Sequence, residues 1–73
     1  MNFDDRKVLK RGTEAVVFLP RVVNDHKMVL VHKVYCFDGS PRGPEELLGR
    51  KAAERKWAEL TSKGWEINND WRL

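Results

Sequence analysis

Apolar and polar positions alternate in the first part of the chain and recur with helical spacing in the second part. Residues 14–19 and 27–37 are β-branched and aromatic runs with a two-residue period, which predicts two strands. Residues 7–10 form a shorter candidate strand. From residue 44 onward, apolar side chains recur every three to four positions, which predicts one amphipathic helix. The pattern therefore predicts a small sheet covered by a C-terminal helix.

Turn-forming residues separate these elements. Gly12 follows the first strand, and Asn24 with Asp25 fits a tight hairpin because both residues tolerate left-handed backbone. Pro20 lacks the N–H that a central strand needs, so it predicts an edge strand or a bulge, with the strand continuing beyond it. Residues 38–43 are rich in glycine and proline and mark the clearest boundary in the sequence.

The helix is predicted to begin at Pro44, which suits the first helical position. Glu45 and Glu46 follow it, where the helix dipole favours negative charge. Gly49 lies inside this predicted helix, where it costs about 1 kcal/mol relative to alanine but permits a close approach to the sheet. Gly64 is the predicted stop. The apolar positions of the helix share one broad face: Leu48, Ala52, Ala53, Trp57 and Leu60.

The strand at 27–37 has two apolar faces, so alternation alone does not identify the buried one. Lys33 and Tyr35 favour an outward orientation of the odd-numbered face. The even-numbered face is therefore assigned to the core: Met28, Leu30, His32, Val34 and Cys36. The odd-numbered face is then the exposed one and includes Val29, Val31, Tyr35 and Phe37.

Length and composition predict a single domain over residues 1–73, in which the polar residues 1–6 are frayed. Beyond the helix, Trp65, Ile67 and Trp71 share parity, which predicts a short last strand. The predicted fold class is α+β, with an antiparallel sheet of three to four strands and one C-terminal helix packed on one face. Such a short chain buries a thin core, so a protein partner or a homodimer would add stability.

Charge and cysteine content narrow the cellular setting. The 14 Lys and Arg residues exceed the 11 Asp and Glu residues, and the net charge of +3 is spread evenly along the chain. This mild excess permits contact with nucleic acid or an acidic protein without requiring either. Cys36 is the one cysteine, which suits a reducing compartment. With no signal-peptide or membrane-spanning pattern, the sequence predicts a soluble cytoplasmic protein with no membrane partner.

The helix and tail carry the motif Trp-x-x-Leu-x-x-x-Gly-Trp at positions 57–65. Together with Ala53, Trp71 and the Gly/Pro-rich loop before the helix, this motif makes residues 12–71 resemble a family of small uncharacterised cyanobacterial proteins. The family is classed as a domain of unknown function and is common in marine picocyanobacteria. The resemblance implies a cyanobacterial origin, and it implies no activity, ligand or catalytic residue.

Catalytic and metal-binding patterns are missing from the sequence. His26, His32 and Cys36 are the candidate ligands or nucleophiles. His32 and Cys36 lie four residues apart on a strand, about 13 Å along it, which is too far for one metal ion. Neither Ser-His-Asp order, HExxH nor P-loop spacing occurs. The sequence therefore predicts a non-enzymatic protein with no catalytic residues, no metal and no cofactor.

The leading hypothesis is a small cytosolic interaction module that binds and modulates a protein partner. Its candidate partner-binding residues are Val29, Val31, Tyr35, Phe37 and Trp71. The alternative is a nucleic-acid-binding domain that uses a basic helix face, or an aromatic sheet face for base stacking. Its candidate phosphate-contacting residues are Lys10, Arg11, Arg42, Arg50, Lys51 and Arg55. The simpler interpretations are a solvated helix face and a Trp71 ring packed on the sheet.

Overall fold

The computed structural model describes residues 2–72 and shows one antiparallel sheet with a single helix packed on it, which confirms the predicted α+β class. In chain order the elements are β1 (Lys7–Arg11), β2 (Glu14–Val23), β3 (His26–Tyr35), β4 (Glu46–Leu48), α1 (Arg50–Ser62) and β5 (Glu66–Ile67). The strands lie in the order β4-β3-β2-β1-β5. Because β4 and β5 are the two edge strands, α1 crosses the sheet from one edge to the other.

Two tight hairpins set the register of the first three strands. Asn24 and Asp25 connect β2 to β3 with φ values of 50° and 64°, and two consecutive left-handed residues are the mark of a type I′ turn. Gly12 has a φ of 61° in the turn between β1 and β2. All ten residues of β2 pair with β3 without a break. The predicted turns and strands are confirmed here.

Pro20 lies in continuous register on β2, opposite Val29, so the predicted bulge is absent. As a whole β2 is a central strand between β1 and β3, but the stretch at Pro20 has a neighbouring strand on one side only, so the predicted edge position holds locally. Along a hairpin with a two-residue turn, hydrogen-bonded and non-hydrogen-bonded pairs alternate, beginning with a bonded pair at the turn. This alternation puts Pro20 in a non-bonded pair, and its nitrogen faces away from β3. Since β1 begins only at Lys7, opposite Phe18, the described chain places no strand on that side of Pro20. The Pro20 carbonyl oxygen accepts a hydrogen bond from Arg21 Nη1 at 3.0 Å.

Helix α1 begins at Arg50, later than predicted. Pro44 and Glu45 precede it and Glu46 opens β4, so the predicted capping of the helix dipole by these acids is wrong, and the first turn of α1 contains no acid. Gly49 is the extended N-cap residue, with a φ of −70° and a ψ of 166°. A Cβ at Gly49 would meet open space among the described residues, so the predicted close approach is wrong as well. Residues 46–48, which the periodicity assigns to the helix, instead form β4 and pair with β3.

The end of α1 follows the prediction. Gly64, with a φ of 94°, reverses the chain. The N–H of Trp65 donates to the carbonyl oxygen of Leu60 at 3.1 Å and closes the last turn of the helix. Ile67 then pairs with β1, so a short last strand is present on the β1 edge of the sheet. It contains only two residues, and Trp65 and Trp71 pack on opposite sides of the sheet, so the predicted shared face of the two tryptophans is wrong.

The face of the sheet beneath α1, called the helix face, holds an aromatic cluster. The ring of Phe18 meets Trp57 edge-on with centroids 5.2 Å apart, and Phe3 stacks on Phe18 at 5.5 Å. Phe3 is 5% exposed, so the chain is anchored at a point where the sequence predicts fraying. The buried residues of this cluster are Phe3, Leu9, Val16, Phe18, Val29, Val31, Ala53, Trp57 and Leu60.

The assignment of the odd-numbered face of β3 to solvent is wrong. Val29 and Val31 are 3% and 1% exposed beneath α1. Lys33 and Tyr35 share this face and are half-buried, so their polarity does not mark a solvent face. Val34, from the even-numbered face, is buried on the other side of the sheet. Because both sides of β3 contribute to a core, alternation does not distinguish them.

The opposite face of the sheet, called the tail face, is partly covered by the C-terminal tail. Trp71 packs there after a turn in which its N–H donates to the carbonyl oxygen of Asn68 at 3.1 Å. Asn69 fixes the tail to β1, since its Oδ1 accepts a hydrogen bond from the N–H of Val8 at 2.9 Å. The buried residues of the tail face are Val8, Ala15, Val17 and Val34, packed with Leu19, Cys36 and Trp71. The sheet therefore has a large core on one side and a small one on the other.

Candidate functional site

The predicted partner-binding residues do not form one surface. Val29 and Val31 lie in the core beneath α1 and are inaccessible to a partner. Tyr35 and Phe37 form a ring pair with centroids 5.4 Å apart, and Phe37 is 73% exposed. Trp71 is half-buried on the tail face, as the packing interpretation expects. Only Tyr35 and Phe37 remain together as accessible surface.

The predicted phosphate-contacting residues of the helix are brought together. Arg50, Lys51 and Arg55 are all exposed in the first turns of α1. Arg11 lies beyond the other end, where its Nη1 donates to the carbonyl oxygen of Lys63 at 3.1 Å. A helix of 13 residues separates these positions by roughly 20 Å. Arg11 therefore does not belong to the same basic patch.

The two remaining members of that set lie elsewhere. Arg42 Nε is 2.6 Å from Glu14 Oε1, so its charge is compensated by an ion pair. Lys10 lies opposite Ala15 in the register of β1 and β2 and therefore projects from the tail face. The six predicted phosphate contacts thus reduce to the three on α1.

The histidines and the cysteine lie apart from any cluster of ligands. His32 is on the tail face opposite Val17, Cys36 packs against the same core, and His26 is exposed at the hairpin end. Within residues 2–72, no group of three His, Cys, Asp or Glu residues is arranged to hold a metal ion. Over the same residues, no helix combines the length and apolarity needed to cross a membrane.

A row of aliphatic side chains crosses three strands of the tail face. Leu19, Leu30 and Leu47 lie directly opposite one another on β2, β3 and β4 and are called the leucine row. Leu47 is 45% exposed, while Leu19 and Leu30 are half-buried. The one helix of the described chain lies on the other side of the sheet. The leucine row is therefore accessible apolar surface, the kind of patch that marks interaction sites.

Basic side chains lie on the same face of the sheet as the leucine row, with Arg6 and Arg21 beside Leu19 and Lys10 further along the face. Lys10 of β1 and Arg21 of β2 lie on the tail face by their register. Arg6, just before β1, lines a cavity together with Leu19. Among the strand residues of this face, Glu66 opposite Lys10 is the one acid. The tail face therefore combines apolar surface with positive charge.

The cavity beside the leucine row has a volume of about 250 Å³. Two basic residues, Arg6 and His32, line it together with the indole of Trp71. The Arg6 guanidinium lies 5.9 Å from the centroid of the Trp71 ring. The complete lining is Arg6, Val17, Leu19, His32, Val34, Gly39 and Trp71. The cavity is thus apolar inside and basic at its margin, and its described lining includes no acid.

A larger cavity of about 620 Å³ lies near the end of the β2–β3 hairpin. Phe3, Pro20 and Val22 contribute apolar surface to it. Its lining also includes Asp4, whose Oδ1 lies 3.7 Å from the Nζ of Lys27. Arg21 and Arg50 line it as well, so this larger cavity also keeps positive charge at its margin beyond the Asp4–Lys27 pair.

Sequence reasoning missed the leucine row and the basic margin around it. From the sequence, Leu30 is assigned to the core and residue 47 to the helix. On that interpretation the two side chains do not meet. The row is identified by the antiparallel register, which places Leu19 opposite Leu30 and Leu30 opposite Leu47, and this becomes visible only when residues 46–48 are treated as a strand.

Comparison with known proteins gives no significant match to any family model, curated protein or solved structure. The resemblance to a cyanobacterial family therefore stays a prediction, and the candidate site must be interpreted from its own chemistry.

Proposed function

We propose that this chain is a non-enzymatic, cytoplasmic interaction module that binds a protein partner through the tail face. The observation that carries the proposal is the leucine row, which is apolar, spans three strands and has Leu47 45% exposed at the sheet edge. Burial of apolar area is the main favourable contribution when such a surface binds a partner. The docking surface proposed here replaces the one predicted around Val29 and Val31.

The charge of the tail face favours a partner that presents an apolar segment flanked by carboxylates. Arg6 and Arg21 lie beside Leu19, Lys10 lies further along the same face, and Glu66 is the one acid among the strand residues of that face. Opposite charges across an interface steer the encounter and fix the orientation of the partner. A second copy that docked face to face would instead place these basic residues against their own equivalents. We therefore favour an acidic partner over a homodimer through this face.

The proposal is tested by comparing the proteins that three forms of the full chain retain from an extract of the source organism. Leu47→Asp puts a charge into the leucine row, while Ala58→Asp makes the same change in charge on the exposed side of α1. We expect to find a protein that is retained by the wild type and by Ala58→Asp. The same protein should not be retained by Leu47→Asp. Calorimetry with the purified partner should then give a defined stoichiometry and at least a tenfold weaker binding for Leu47→Asp.

Circular dichroism of the three forms provides the control for folding. If a retained protein binds all three forms equally, its binding does not use the tail face and the proposal fails. The proposal fails equally if no retained protein binds the wild type directly after purification. A purified partner that is nucleic acid would favour the second candidate function described next.

The second candidate function is nucleic-acid binding by α1. It is favoured by the joint exposure of Arg50, Lys51 and Arg55 in a helix whose first turn contains no acid. Phosphate contacts of this kind weaken steeply as salt rises, because binding releases counterions. Titration with single- and double-stranded DNA and RNA at two salt concentrations tests it. Binding that Arg55→Gln and higher salt both weaken supports the function, and no binding at low salt excludes it.

A further inference from the structure

Resting on the proposed function, we infer that Arg6 and Arg72 form a carboxylate-binding pair that recognises an acidic side chain of the partner, while the cavity beside them takes an adjacent aliphatic side chain.

The geometry brings two guanidinium groups to one point of the tail. Arg6 Nη1 donates to the carbonyl oxygen of Asn69 at 3.3 Å, and Arg72 Nη1 donates to the same oxygen at 3.1 Å. Because one acceptor holds both donors, the two groups are neighbours. Arg72 also donates to the carbonyl oxygen of Trp71 at 3.0 Å, and Arg6 lies over the ring of that residue.

The two positive charges lack a carboxylate partner among residues 2–72. Every hydrogen bond of Arg6 and Arg72 found there goes to a backbone carbonyl oxygen, and neither residue forms an ion pair. Burial lowers the pKa of Arg6, and the charge of Arg72 lowers it further. A carboxylate between the two groups would relieve this repulsion. Each guanidinium has five N–H donors, so both retain free donors for a ligand.

The shape of the site specifies what accompanies the carboxylate. Arg6 belongs both to the pair and to the lining of the 250 Å³ cavity, so the charged and apolar parts are contiguous. The cavity is walled by Val17, Val34 and the indole of Trp71, which favours an aliphatic side chain. Guanidinium recognises carboxylate through charge-assisted hydrogen bonds, which are about twice as strong as neutral ones. The partner segment is therefore a Glu or Asp next to Leu, Ile or Val.

The test uses nuclear magnetic resonance on the nitrogen-15-labelled full chain with two acetylated, amidated tripeptides, Leu-Glu-Leu and Leu-Gln-Leu. We expect the glutamate peptide to shift the side-chain N–H signals of Arg6 and Arg72 and the indole signal of Trp71 in a saturable manner. The glutamine peptide should bind at least tenfold more weakly, the equivalent of about 1.4 kcal/mol. Arg6→Gln and Arg72→Gln should each abolish this difference, while Arg55→Gln on α1 should preserve it.

The outcomes separate this inference from the proposed function. Equal affinity for the two peptides overturns carboxylate recognition but agrees with apolar docking on the tail face. A tenfold preference that survives in both Arg6→Gln and Arg72→Gln overturns the location of the site. If neither peptide causes saturable shifts, the inference fails, and capture with Leu47→Asp still tests the proposed function because that experiment needs no peptide. Inorganic phosphate that shifts the same signals as strongly as the glutamate peptide also overturns it, since the site then selects charge alone.

Discussion

Asn69 determines, at the scale of single residues, how the tail is attached to the sheet. Its Oδ1 accepts the hydrogen bond of the Val8 N–H, at a point that the β5 ladder does not reach, because that ladder pairs only Leu9 and Lys10 of β1. Val8 is fully buried, so water is a poor substitute for the side chain. The side-chain amide of Asn69 therefore satisfies the Val8 N–H at the β1 edge and holds the tail where it turns onto the tail face.

We predict that Asn69→Ala lowers the free energy of unfolding by about 1–3 kcal/mol, because it leaves the buried Val8 N–H without an acceptor. Urea denaturation measures the change. Asn68→Ala is the matched control: the described hydrogen bonds of Asn68 use its backbone N–H and carbonyl oxygen, which the substitution keeps. Equal effects of the two substitutions would show that the Asn69 side chain does not hold the tail.

Phe3 and Phe37 have opposite environments in the same chain. Phe3 is 5% exposed and packs against Phe18 and Trp57, whereas Phe37 is 73% exposed and contacts the ring of Tyr35. Phe3→Ala should lower the free energy of unfolding by about 3 kcal/mol, since it opens a cavity in the aromatic cluster. Phe37→Ala should change it by less than about 0.5 kcal/mol. Thermal unfolding of both variants checks the contrast, and a small effect of Phe3→Ala would mean that the N-terminal anchor is weak.

Among the elements, helix α1 is weakly capped at its N-terminus and well capped at its C-terminus. Gly49 has the extended backbone of an N-cap but provides no side-chain hydrogen bond, and the first turn contains no acid. Gly64 supplies the left-handed backbone that the last turn requires. The basic residues Arg50 and Lys51 follow Gly49 in the first turn, where the helix dipole disfavours positive charge.

We therefore predict that Gly49→Asp raises the free energy of unfolding by about 0.5–1 kcal/mol. An aspartate there accepts hydrogen bonds from the free N–H groups and adds negative charge at the positive end of the helix dipole. Gly49→Asn adds the cap without the charge and should give a smaller gain. Chemical denaturation at low and high salt separates the two contributions. A loss of stability in both variants would contradict the assignment of Gly49 as the N-cap.

The sequence allows the class of fold to be predicted because its strongest signals are local. The turn at Asn24 and Asp25, the stop at Gly64 and the buried helix positions Trp57 and Leu60 all follow from residue type and spacing. The start of the helix does not, since Glu46 to Leu48 pair with β3 and this pairing depends on contacts distant in sequence. Tertiary pairing therefore overrides a periodicity that favours helix.

The candidate site is harder to predict, because it depends on which side of β3 receives the helix. Val29 and Val31 compete with Leu30 and Val34 for that role, and all four are apolar. The choice is made by contacts from other elements, among them the stacking of Phe3 on a β2 ring. An error in this choice moves the whole predicted docking surface to the wrong side of the sheet. Residue types alone do not contain the information that corrects it.

The whole molecule has three layers: α1, the sheet and the C-terminal tail. The core beneath α1 is much larger than the one beneath Trp71. Both cores use residues of β1, β2 and β3. Helix α1 and the C-terminal tail therefore pack on the same three strands. The tail is moreover bonded to β1 through Asn68 and Asn69.

From this arrangement we predict that the three layers unfold in a single cooperative transition. Fluorine NMR of the chain labelled with fluorotryptophan follows Trp57 in the helix core and Trp71 on the tail face separately. Their native signals should disappear with the same midpoint in urea, because two-state unfolding gives coincident transitions for different probes. Single Trp→Phe variants assign the signals. Loss of the Trp71 signal at a lower urea concentration would show that the tail detaches before the sheet unfolds.

Pro20 has a further consequence for how the chain behaves among its own copies in a crowded solution. β2 and β3 extend past the start of β1 and thereby expose the side of a strand, which is the usual template for edge-to-edge aggregation. At Pro20 this side has no donor, and its acceptor is already occupied by Arg21. An approaching strand therefore meets an interrupted row of hydrogen-bonding groups. The exposed side of this valine-rich hairpin is therefore a poorer template for cross-β pairing than an uninterrupted strand.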